Sequence, residues 1–74
     1  MTEELTKNLP NLIELGKQVR AKRKAEGLNQ KTLAALAGCS HVPVVHLERG
    51  TGKLNLNTAW KIMDALGMTK ASSD

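Results

Sequence analysis

An all-α fold of four helices, with room for a fifth, is predicted by three features of the 74-residue sequence. Apolar residues recur at spacings of three and four, the period of one helix face. Each such run is preceded by a capping residue or proline and followed by glycine. The aromatic content is Trp60 alone, with no Phe or Tyr. Strands favour aromatic and β-branched side chains. A core limited to Leu, Ala, Val, Ile and Met suits a helix bundle.

The first helix spans residues 11–26, with Leu12, Leu15, Val19 and Arg23 on one face. Pro10 suits its start, and Gly27 suits a left-handed stop. Asn29 can cap a second helix over residues 30–37, whose inner stripe is Leu33, Ala34 and Ala37 and whose end is Gly38. Ser40 can cap a third over residues 41–49, with Val44 and Leu47 inward and Gly50 after it. Pro43 falls third in that helix. The first turn tolerates proline because its N–H groups have no intrahelical partner. The Ser40 hydroxyl is then left with the Val42 N–H, and the helix start is expected to be stiff and slightly distorted. Asn55 can cap a fourth helix over residues 56–66, with Leu56, Ala59, Met63 and Leu66 inward, Ile62 beside them and Gly67 as stop. Trp60 is expected in the core or on a dimer surface. Residues 11–68 thus form one domain, flanked by a polar arm (1–10) and a polar tail (69–74).

Length and composition exclude several functions. A chain this short holds one modest core, not a cofactor domain beside a substrate domain. The single Cys39 allows no internal disulfide and no cysteine-rich zinc cage, and it suits a reducing cytoplasm. Cys39, His41 and His46 lack a fourth ligand beyond nearby Glu48. No metal, cofactor or catalytic group is therefore expected. No apolar run approaches the roughly 20 residues that cross a bilayer, and residues 1–10 do not read as a signal peptide. One Trp cannot build the stacking platform used on single strands.

The net charge is +4, with a pI of about 9.6, and it is unevenly placed. Residues 14–31 carry Lys17, Arg20, Lys22, Arg23, Lys24 and Lys31 against Glu14 and Glu26. Such a cluster is the footprint of a polyanionic partner or, equally, a solubilising helix face.

Two short helices joined by Gly38-Cys39-Ser40 make a sharp corner, the helix-turn-helix arrangement. Its surroundings resemble a known family. Residues 19–30, VRAKRKAEGLNQ, look like that family's first helix and second-helix start. Residues 33–40, LAALAGCS, look like its second helix and turn. Residues 44–50, VVHLERG, look like its recognition helix, and residues 62–67, IMDALG, like its fourth-helix ending. The family is the Cro and phage-repressor-like (XRE) helix-turn-helix family, and the resemblance covers about residues 12–68. Residues 53–58, KLNLNT, look closer to HipB-type antitoxins. Thr32 stands where the family often has the Glu of a capping box, and residues 68–74 are too polar for the packed element many members use in dimerisation.

The resemblance implies a compact repressor-like domain whose third helix enters the major groove of double-stranded DNA. His41, Val42, Val45 and His46 would face base edges. The valines could pack on thymine methyls, and the histidines could donate to guanine N7 or O6. Asn29, Gln30, Lys31, Arg49, Thr51 and Lys53 would contact phosphates, helped by the second-helix N-terminus. Arg23 and Glu48 would form a structural ion pair between the first and third helices. The implied function is a transcriptional regulator, a repressor on its operator, acting as a homodimer. Two alternatives stay open: an antitoxin that binds DNA and a partner toxin, and a protein-interaction module.

Overall fold

The computed structural model describes residues 11–51 and 54–69. The arm at residues 1–10, the tail beyond Thr69, and Lys53 lie outside them. Four helices follow one another: α1 (Leu12–Ala25), α2 (Gln30–Ala37), α3 (His41–Arg49) and α4 (Leu56–Ala65). No strand occurs among the described residues.

The helix boundaries follow from cap chemistry. Asn11 takes α1's N-cap and accepts from the Ile13 and Glu14 N–H groups at 2.8 and 3.3 Å. Asn29 accepts from Thr32 N at 2.7 Å, and Asn55 from Asn57 and Thr58 N at 2.8 and 3.3 Å. These bonds satisfy donors that a helix start leaves unpaired. Ser40 differs. It holds the extended N-cap conformation of α3 but makes no side-chain cap bond. The expected bond to Val42 is absent, and Pro43 removes the N–H that a serine cap otherwise reaches.

The core joins all four helices: Val19 of α1, Leu33 and Ala34 of α2, Val44 and Leu47 of α3, and Ala59 and Ile62 of α4 with Leu66 just beyond it. α3 packs against each of the other three helices. Two inward assignments are corrected. Leu12 is 53% exposed and Leu56 is 81% exposed. Both lie in first turns and line an apolar cleft of about 150 Å³ with Leu54, Met63 and Gly50. At 100° per residue, the buried Ala59, Ile62 and Leu66 place α4 about 50° from the stripe expected. Trp60 is 54% exposed and so is not a core residue.

Gly16 is buried where α1 crosses α3. A Cβ there would stand 2.5 Å from the carbonyl oxygens of both Leu47 and Glu48. The α1–α3 approach is therefore backbone to backbone, and Gly16 permits it.

Candidate nucleic-acid interface

The turn brings the N-termini of α2 and α3 together. Gly38 adopts φ +72°, a conformation costly for side chains with a Cβ. Its N–H and that of Cys39 return to Ala35 and Ala34 carbonyls at 3.2 and 3.0 Å, which closes α2 before α3 begins.

α3 presents two faces. Val44 and Leu47 are buried. Val42, Val45, His46 and Arg49 fall at i, i+3, i+4 and i+7, one stripe on the other side. Val42 is 56% exposed, Val45 and His46 are half-buried, and Arg49 is exposed. Neither valine belongs to the core cluster. His41 is exposed at the first position of α3.

Behind this surface lies a polar network. Arg23 Nε donates to Glu48 Oε2 at 2.6 Å, and Arg23 Nη2 to Oε1 at 3.1 Å. Both side chains are nearly closed to solvent, at 9% and 5% exposure. The remaining guanidinium nitrogen donates to the Leu28 carbonyl at 2.8 Å. Gln30 Nε2 donates to Glu48 Oε1 at 3.1 Å, and Gln30 Oε1 lies 3.0 Å from His41 Nε2. One chain of hydrogen bonds thus links α1, the α1–α2 connection, α2 and both ends of α3.

Gln30 and Arg49 line one polar cleft with Arg20 and the ion pair. Arg20 is exposed there, a cation that residue-by-residue reading did not single out. The run of bases at 20–24 is its only trace in the sequence. Lys31 is exposed beside Gln30. Three of the expected phosphate ligands are engaged within the chain, Gln30 through both Nε2 and Oε1. Asn29 uses Oδ1 on the α2 cap, and Thr51 Oγ1 donates to the His46 carbonyl at 3.2 Å. Lys22 pairs with Glu26 at 3.7 Å on the exposed side of α1.

Cys39 is half-buried, and burial pushes its thiol up from 9.0, opposed by nearby Lys61. It is a packing residue against the core, and a raised thiol disfavours the reactive thiolate. Among the described residues, no three His, Cys, Asp or Glu side chains gather as metal ligands. No helix there is long and apolar enough to cross a membrane.

This geometry agrees with comparisons to known proteins. No curated protein matches the chain in sequence. The restriction-modification controller protein C.AhdI from Aeromonas hydrophila is similar in structure and sequence. It shares 36% identity over 78% of this chain and 84% of that chain, with a TM-score of 0.68. That neighbour is a controller protein, and the resemblance of residues 53–58 to HipB-type antitoxins gains nothing from it. A helix-turn-helix family model matches residues 19–71, from the middle of α1 past the end of α4. The chain therefore belongs to the helix-turn-helix family of DNA-binding regulators, in its XRE-type branch.

Proposed function

We propose that the chain is a sequence-specific regulator that binds double-stranded DNA and represses transcription by occupying an operator, in the cytoplasm, as a homodimer. α3 lies in the major groove, with His41, Val42, Val45 and His46 toward base edges. Lys31, Arg49, Lys53 and Arg20 neutralise phosphates, and Asn29, Gln30 and Thr51 contact them as well. The observation that carries this reading is the exposed α3 stripe, braced from behind by a closed polar network and bordered by Arg20, Lys31 and Arg49. The similarity to a controller protein supports a regulatory role. One reading helix covers few base pairs, so two copies on half-sites about 34–36 Å apart are expected.

In vitro selection of bound duplexes, with affinities measured at several salt concentrations, tests this. Four cations per subunit on phosphates give a slope of log K against log salt of about −7 for the dimer. Arg49→Ala should flatten that slope by about one per subunit and weaken all sequences alike. A salt-insensitive complex, or selection that enriches nothing, overturns the reading. The antitoxin reading adds a toxin on top of the same DNA face. Co-expression with the neighbouring open reading frame separates it, since a plain repressor leaves that product unbound.

A further inference from the structure

We propose that His41 reads a base through Nδ1 as a hydrogen-bond acceptor, and that Gln30 is the positioning residue that imposes this. This rests on α3 lying in the major groove and adds which base edge is read.

The orientation follows from donor and acceptor identities along the network. An ionised carboxylate only accepts. Glu48, clamped by Arg23 at 2.6 and 3.1 Å, offers Oε1 toward Gln30 at 3.1 Å. The Gln30 atom facing it must be the amide nitrogen. That turns Gln30 Oε1 toward His41 Nε2 at 3.0 Å. A carbonyl oxygen also only accepts, so Nε2 must carry the hydrogen. A neutral imidazole has one N–H, and Nδ1 is left with its lone pair. The major groove presents two kinds of amino donor to such an acceptor, adenine N6 and cytosine N4. Guanine N7 and O6 and thymine O4 are themselves acceptors and repel it. The expectation that His41 donates to guanine is thereby reversed. The side chain that decides the base is thus held through Gln30 and Glu48 by an arginine on α1.

Base-substitution affinities of the full chain, measured at about pH 8, test this. The position read by His41 is the one at which His41→Ala loses its preference. The wild-type chain should favour adenine or cytosine there, and guanine should weaken binding about three- to tenfold. Gln30→Leu frees the ring to turn over and should shrink that preference to about twofold or less. Its Arg23–Glu48 pair remains, and a thermal melt checks the fold. A two-bond ¹H–¹⁵N spectrum of the DNA-free protein gives a second readout. The His41 ring should be protonated at Nε2 in the wild type and at both nitrogens in mixture in Gln30→Leu. A wild-type preference for guanine, a ring protonated at Nδ1, or a Gln30→Leu variant identical to wild type in both readouts overturns the proposal. If no duplex is bound selectively, the proposed function fails, and the spectrum still decides the ring.

Discussion

Arg23 and Glu48 are charged groups held away from water, and what they contribute depends on which partner remains. Desolvating each ion costs several kcal/mol, so a buried pair adds little net stability. Here the cost is offset by full use of the polar atoms. Both Glu48 oxygens accept, and Arg23 reaches Leu28 as well. Among the described residues, no buried side-chain nitrogen or oxygen lacks a partner. Removing one member strands the other. Glu48→Ala should cost about 3–5 kcal/mol, a fall in Tm of more than about 10 °C for a domain of this size. In the surviving folded fraction Gln30 loses the partner that orients it, so the His41 base preference should shrink as it does in Gln30→Leu. Replacing both residues by Met and Leu should cost less than Glu48→Ala alone. Thermal denaturation of the three proteins checks this, and an unchanged Tm in Glu48→Ala would remove the pair from its structural role. The inward position of Arg23 was legible from helical spacing, and its partner came from the family resemblance. The third bond from Gln30 was not legible, because it exists only where the start of α2 meets the end of α3.

At the scale of elements, α1 and α3 are joined through two glycines, one from each side. Gly16 lets α1 rest on the Leu47 and Glu48 carbonyls, while a Cβ on Gly50 would stand 2.8 Å from Ile13 Cα. Helix propensity alone says that Gly16→Ala should stabilise α1 by about 1 kcal/mol. The contact says the reverse, because a methyl 2.5 Å from backbone oxygens must push the helices apart. Overpacking costs about 1–3 kcal/mol, so Gly16→Ala should be destabilised on balance. Gly38→Ala gives the contrast. Its Cβ would meet nothing within 4 Å, and the left-handed φ of +72° is its only strain, worth about 1–2 kcal/mol. Urea unfolding should therefore place Gly16→Ala below wild type, with loosened Arg23–Glu48 contacts, and Gly38→Ala below wild type with those contacts intact. A stabilised Gly16→Ala would mean the helices are not in backbone contact. This division also shows how far the fold was legible. Caps and stops such as Asn29, Asn55, Gly38 and Gly50 act within a few residues, so they mark both ends of α2, the end of α3 and the start of α4 in the sequence itself. What Gly16 faces is set by another helix, and the α4 roll that exposes Leu56 is set by the packing of Ile62. Neither leaves a local signal.

For the whole molecule, the uneven surface is the decisive property. Cations line the α1–α2–α3 side, whereas α4 shows Leu56 and Trp60 one turn apart, 81% and 54% exposed. Met63 continues that stripe, and Leu12 of α1 faces the same cleft. A monomer gains nothing by holding a contiguous apolar strip in water, and such a strip marks an association surface. A second copy of this chain is the occupant that the proposed operator requires, since a two-fold site takes two reading helices in fixed register. α4 packs on α2 and α3, so pairing through its outer stripe leaves the exposed face of α3 uncovered. The single Trp60 makes the idea directly measurable, because all tryptophan emission comes from the proposed contact. Wild-type protein should sediment as a dimer, and its emission should shift to the red on dilution. Leu56→Lys and Trp60→Lys should sediment as monomers at the same concentration. Losing an aromatic anchor costs about 2 kcal/mol or more, at least about 30-fold in dimer affinity. Because both side chains are more than half exposed, helix content should survive in either variant. Each should still bind a half-site with the salt dependence of its own cations while losing the gain in affinity from a second half-site. A wild-type chain that stays monomeric at concentrations that saturate its DNA, or a Trp60→Lys chain that still dimerises, would place the subunit contact elsewhere on the molecule.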